Sequence, residues 1–268
     1  MIQIRPAAVA GAFYPGQTEV LSRDIGTMLS MVETAPSGVP KALIVPHAGY
    51  VYSGPVAASA YALLRPLRNI IKRVVLLGPV HRVPVRGLAT AGADGFATPL
   101  GVVDIDRDAL AAIAVLPQVT ESSAAHAWEH SLEVQLPFLQ AILDDFKLVP
   151  LAVGDATPDE VAEVLDQLWG GPETLIVISS DLSHFLPYST AQAVDQQTVQ
   201  SILNLSGPLT HEQACGGTPV NGLIVAARRH HLRPQLLDLR NSGDTAGDKS
   251  RVVGYASFAF TEETSDVH

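Results

Sequence analysis

The chain of 268 residues predicts an α/β fold: a single-domain three-layer α/β/α sandwich with a mainly parallel sheet. Three observations carry that prediction. Continuous apolar, β-branched runs at 42–45, 73–77 and 174–178 have the composition of strands buried on both faces. Helical patterns of ten or more residues alternate with them along the whole length. No linker or internal repeat marks a boundary, so residues 1–268 read as one domain, an ordinary size for this class.

Each element follows from local signals. Residues 6–16 lack a period and end in Pro15-Gly16, so they read as an extended loop whose Phe13 and Tyr14 form a lid, a pocket wall or simple packing. A helix over 18–32 and a turn at 35–40, with Pro36, Gly38 and Pro40, lead into the strand 42–45. That strand stops at Pro46, which cannot donate to a ladder, and His47 follows. Ser53 or Gly54 is placed to cap a small-residue helix over 53–65 with Pro55 in its first turn. The strand 73–77 then runs into Gly78-Pro79-Val80-His81, repeating the order strand, proline, histidine.

Short strands at 88–91 and 102–105 precede a helix over 107–116. Leu132, Leu136, Leu139 and Leu143 mark the buried stripe of a helix over 129–143, in which Pro137 requires a kink or a restart. His130 and Glu133 fall three apart on another face. A strand at 147–153, a helix at 158–168 and the strand 174–178 lead into Ser179-Ser180-Asp181-Leu182-Ser183-His184. Helices over 190–205 and 220–231 and strands at 235–239 and 252–260 close the chain.

Composition narrows the function. Apolar residues make up 47% and charged residues 16%, which excludes a disordered chain. The net charge is -10 and no basic run exceeds Arg228-Arg229 with its two following histidines. Counterion release from a nucleic acid needs a basic footprint, so no nucleic-acid partner is expected. The one cysteine, Cys215, excludes an internal disulfide framework and suits a reducing cytoplasm. The first residues lack the apolar core of a signal peptide and no apolar run nears the ~20 residues of a membrane span, so a soluble cytoplasmic protein with no membrane partner is expected.

His47, His81 and His184 each follow a buried strand, and Cys215 precedes a helix. Ligands of open α/β sheets bind where strand ends and helix starts converge. Imidazole and thiolate are metal ligands, and three or four of them meeting there make a site without a short-range motif. A single histidine after a strand serves equally as a structural hydrogen-bonding group; the repetition favours a shared site. Asp181 is placed to hold a ring N–H of His184, or to cap a short helix. Cys215, followed by two glycines, reads either as an exposed thiol of lowered pKa near a helix start or as a small buried hydrophobe.

His130 with Glu133 forms a rival metal pair or a surface ion pair, and Cys215 with His184 a nucleophile pair for hydrolysis. His126, His211, His230, His231 and His268 stand in polar or terminal surroundings and are expected on the surface. Gly49 and Gly54 match no phosphate-loop spacing.

Val45-Pro46-His47-Ala48-Gly49-Tyr50, Ser53-Gly54, Gly78-Pro79-Val80-His81, Glu129-His130-Ser131-Leu132-Glu133, Ser179-Ser180-Asp181-Leu182-Ser183-His184 and Cys215-Gly216 occur in that order. Together they resemble the motifs of the Memo family, whose prokaryotic members are called AmmeMemoRadiSam system protein B. The family is similar in fold to class III extradiol dioxygenases, in which non-haem Fe(II) opens catechol rings. The resemblance implies His47 and His81 as metal ligands, Cys215 as the third where the dioxygenases carry glutamate, and His184 as the acid/base group with Asp181 beside it. It also implies a substrate pocket with Phe13, Tyr14, Tyr52, Glu129 and His130. A thiolate widens the choice of metal from iron(II) to copper, with zinc as a further possibility. Arg82 stands where many relatives have a second histidine, and Ser183 where some have cysteine.

The implied function is that of a dioxygenase-like, metal-dependent oxidoreductase acting on a small-molecule or peptide ligand, with radical-SAM and AMMECR-type proteins as partners. The alternative is a non-enzymatic binding or adaptor module that keeps the cleft.

Overall fold

The computed structural model describes residues 2–32 and 38–262. The turn expected at 35–37 and the surface placement of His268 lie outside them. The strands are β1 (Ile4–Arg5), β2 (Pro40–Val45), β3 (Arg73–Pro79), β4 (Leu88–Thr90), β5 (Gly95–Thr98), β6 (Gly101–Asp104), β7 (Val119–Glu121), β8 (Lys147–Val153), β9 (Thr174–Ser179), β10 (His184–Leu186), β11 (Leu232–Asn241) and β12 (Val252–Glu262). The helices are α1 (Thr18–Ser30), α2 (Tyr50–Tyr61), α3 (Arg107–Ile113), α4 (Ser123–Ala127), α5 (Leu136–Ile142), α6 (Pro158–Gln167), α7 (Tyr188–Leu203), α8 (Gly217–Arg229) and α9 (Ser242–Thr245).

The apolar runs lie side by side at the centre of one large sheet of order β10-β12-β2-β9-β3-β8-β4-β7, with β11 also on β12. Strands β2, β9, β3 and β8 are mutually parallel. The flanks turn antiparallel, β12 against β2 and β4 against β8. Strands β1, β5 and β6 form a separate small sheet.

Alternation along the central strands creates two cores. Leu43, Val45, Val74, Leu76, Leu175 and Val177 face α1, α2 and α5. Ala42, Ile44, Val75, Leu77, Ile176 and Ile178 face α6, α7 and α8. This is the three-layer sandwich that the apolar runs predict. The chain leaves β2 into α2 on the first face and leaves β9, by way of β10, into α7 on the second. The crevice between these neighbouring strand ends is therefore a topological switch point, the place where open α/β sheets bind ligands.

Some elements depart from expectation. Helix α2 starts at Tyr50 with Gly49 as N-cap, and Pro55 lies inside it. The missing Pro55 N–H leaves the Val51 carbonyl without its i+4 helical partner, at a residue exposed to solvent. Pro137 does mark a restart: a 3-10 turn, Glu133–Gln135, ends and α5 begins there. His126 is buried, its Nε2–H donating to the Ala89 carbonyl at 2.8 Å, and half-buried His230 stacks on Trp169, so neither is a free surface histidine. His211 and His231 are exposed as expected.

One buried ion pair fastens the N-terminal loop to the strand ends. Glu133 is fully buried; its Oε2 accepts from Arg5 Nη1 at 2.6 Å and from the Ala8 N–H at 2.7 Å. Its Oε1 accepts from the Val9 N–H at 2.9 Å and from the Tyr14 hydroxyl at 2.6 Å. Arg5 also donates to the carbonyls of His126 and Glu129, both at 2.7 Å. Removing the carboxylate leaves a buried guanidinium and three other donors unpaired. Glu133→Ala is expected to lower the unfolding free energy by about 3–5 kcal/mol, measured by urea denaturation; a loss below about 1 kcal/mol would contradict the clasp.

Candidate functional site

His47 follows the end of β2 and His81 the end of β3, with β9 between them. The pairing of Val45 with Ser179 carries Asp181 up between the two histidines, where its Oδ1 accepts the His47 backbone N–H at 2.7 Å. Two glycines let other segments close in. A Cβ on Gly216 would stand 2.6 Å from Ser180 Cβ and 2.7 Å from the Ser179 carbonyl oxygen, so only glycine brings Cys215 against the end of β9. A Cβ on Gly78 would stand 2.7 Å from Ser131 Oγ, so glycine there admits the segment carrying Glu129 and His130.

Among the described residues, His47, His81 and His130 offer ring nitrogens that all lie within 4.8 Å of one another. His81 donates its Nδ1–H to Glu129 Oε1 at 2.8 Å, and Glu129 Oε2 accepts the His81 backbone N–H at 2.7 Å. Burial alone would raise the Glu129 carboxyl, but the hydrogen bond and charge of His81, with the Ser131 and His81 backbone N–H groups, outweigh it and hold it at about 2. Nε2 of His81 is left with its lone pair, the carboxylate–histidine arrangement of metal sites. Burial, reinforced by His81, pushes His47 down to about 3, and burial with His47 and His81 pushes His130 down to about 4. Both imidazoles are therefore neutral near pH 7 and present lone pairs.

Cys215 is 7% exposed, and its Sγ lies 3.3 Å from His47 Nε2. Burial, with Asp181 nearby, pushes its thiol up, opposite to an exposed thiol at a helix start. Its neighbouring glycines signal the close approach to β9; the depth comes from the fold around them.

Asp181 serves His47 rather than a ring N–H of His184. The chain continues into β10, which pairs with β12, and His184 donates its Nδ1–H to the Leu182 carbonyl at 2.9 Å. No helix starts there for Asp181 to cap. Burial raises the Asp181 carboxyl, and His184 lies within electrostatic reach of both Asp181 and His47. Glu129 stands behind His81 as its hydrogen-bond partner. Glu133, engaged by Arg5, is turned from His130, so that rival pair does not form.

Phe13 packs on His130 with ring centroids 4.7 Å apart, and its carbonyl accepts the Tyr50 N–H at 2.8 Å. Phe13, Tyr14 and the half-exposed Tyr52 line a cavity of about 550 Å³ together with Asp24, Met28 and Tyr50. Tyr14 contributes its ring only, its hydroxyl being engaged by Glu133. Ser179, which contacts His47, and Gln135, which contacts Ser179, escape sequence reasoning; an amide within a leucine-rich helical stripe is the only sign of Gln135.

The donors fit a transition metal. Bond lengths of about 2.0–2.1 Å to imidazole and about 2.3 Å to thiolate place two such ligands of one ion about 3.1–3.6 Å apart. The 3.3 Å between His47 Nε2 and Cys215 Sγ falls in that range. Imidazole and sulfur select iron, copper or zinc over magnesium or calcium.

Comparison with known proteins agrees with the fold and the motifs. The crystal structure of an uncharacterized protein from Escherichia coli K12 matches with a TM-score of 0.50 over 81% of this chain and 98% of its own, at 15% identity, a likeness of fold alone. A MEMO1 family protein of Aquifex aeolicus is 36% identical over 97% of this chain and 100% of its own length. Another, from Methanosarcina barkeri, is 35% identical over 95% and 98% respectively. A family model described as Memo-like protein matches residues 5–259. The chain belongs to the Memo-like family.

Proposed function

We propose that this protein binds one iron(II) or copper ion through His47, His81 and Cys215, and that the bound metal makes it an oxidoreductase of the non-haem, dioxygenase-like kind. The observation that supports this most is the convergence of three imidazoles within 4.8 Å, with the Cys215 sulfur 3.3 Å from His47 Nε2. When bound, the metal supplies Lewis acidity and one-electron chemistry. Glu129 orients the His81 ring toward it, and Phe13 shields the site from water by covering His130.

His130 lines the open side, where it meets the organic ligand. That ligand, a small molecule or peptide, enters by the aromatic cavity of about 550 Å³ beside Phe13. His184 keeps its Nε2 lone pair, because its Nδ1–H is held by the Leu182 carbonyl, and carries protons to and from that ligand. Radical-SAM and AMMECR-type proteins are the partners that the family resemblance suggests. No helix among the described residues is long and apolar enough to cross a membrane, and we place the protein in the cytoplasm.

Metal analysis by mass spectrometry on untagged, anaerobically purified protein is expected to find nearly one iron or copper per chain, lost in His47→Ala and His81→Ala. Stoichiometric metal in both variants would overturn the ligand assignment. Empty wild-type protein that also refuses added metal would favour the binding module. Metal binding must expel the Cys215 proton, while His47 and His130 are already neutral. Affinity for added metal is therefore expected to rise about tenfold per pH unit between about pH 7.5 and 9, and Cys215→Ser to flatten that slope; an equal slope in the variant would remove Cys215 from the site.

A further inference from the structure

His47 is held from behind by a buried chain of hydrogen bonds whose polarity has one solution. Tyr61, Ser131, Gln135, Ser179 and His47 are all at most 2% exposed. Two backbone carbonyls set the directions, because a carbonyl only accepts. The Pro46 carbonyl lies 2.9 Å from one end of the Gln135 amide, which is therefore its NH2, and the other end, Oε1, accepts from the Tyr61 hydroxyl at 2.8 Å. The Ser131 carbonyl lies 2.6 Å from Ser179 Oγ and takes its only hydroxyl proton. Gln135 Nε2 donates its second proton to Ser179 Oγ at 2.8 Å. Ser179 Oγ faces His47 Nδ1 at 2.9 Å with no proton left to give, so it accepts from Nδ1–H. Nε2 keeps its lone pair and points at Cys215 Sγ.

From this polarity we infer that Ser179 and Gln135 are positioning residues that lock His47 in the Nδ1–H tautomer in the metal-free protein, so that Nε2 stands ready as a ligand. The inference deepens the metal-site reading above and rests on it for its purpose. The opposite tautomer would set the Nδ1 lone pair against the Ser179 lone pair with no donor between them, a buried mismatch that the network excludes. His81 solves the same problem with the Glu129 carboxylate. A neutral hydroxyl behind His47 orients the ring without adding a second charge to the same pocket.

The test uses the full chain with Ser179→Ala and Ser179→Thr. Long-range proton–nitrogen correlation spectra of the metal-free protein are expected to show His47 protonated at Nδ1, its signals identified by their loss in His47→Asn. In Ser179→Ala the tautomers are expected to mix, and Ser179→Thr to restore the single form. Cobalt(II) titration, at a temperature where thermal unfolding shows each variant still folded, is expected to show roughly 10–100-fold weaker binding in Ser179→Ala and recovery in Ser179→Thr. A wild-type His47 protonated at Nε2, or cobalt binding in Ser179→Ala as tight as in the wild type, would overturn the inference. Wild-type protein that shows the Nδ1–H form yet binds no cobalt would confirm the lock and sink the metal reading instead.

Discussion

Three imidazoles converge within 4.8 Å of one another, and the charge that buried His47 and His130 are kept from carrying there shapes what surrounds them. Protonating His47 or His130 would bury a cation beside the other imidazoles, which is why burial and mutual proximity push His47 down to about 3 and His130 down to about 4. Neutrality makes His47 and His130 lone-pair donors. It also requires each ring to be oriented by something other than solvent, which Glu129 does for His81 and Ser179 for His47. The carboxylate, the hydroxyl, the buried thiol and the aromatic cover of Phe13 all surround one polar centre, buried at His47 and open to solvent at His81.

The fold meets that demand through strand order. Because β9 lies between β2 and β3, the parallel ladders bring three strand ends to one edge, and the switch of chain direction between β2 and β9 opens the crevice there. The N-terminal loop closes it. Glu133 gathers Arg5, two backbone N–H groups and Tyr14 into one buried cluster, so the loop that carries Phe13 and the segment that carries His130 are fastened to each other.

Much of this was readable from residues alone, because the signals were local. β-Branched apolar runs mark the central strands, two of them ended by proline with a histidine close behind. What escaped was set by partners distant in sequence. Asp181 was matched with its near neighbour His184, whereas the β2–β9 ladder delivers it to His47, 134 residues away. The Glu129–His81 pair spans 48 residues and has no periodic signature. For Cys215 the local residues leave open both an exposed thiol and a small buried hydrophobe, and the buried one holds because Gly216 lets the backbone press against β9. Short strands such as β1, β5, β7 and β10 are too brief to show alternation, and His126 is buried by tertiary packing that its polar surroundings conceal.

The central claim is that imidazole and thiolate share one ion. X-ray absorption at the zinc edge, on protein loaded with one equivalent of zinc as a probe, tests it most directly. The account predicts one sulfur neighbour at about 2.3 Å and imidazole nitrogens at about 2.0–2.1 Å. A shell of nitrogen and oxygen alone would contradict it, leaving Cys215 as a buried thiol beside a site made by histidines.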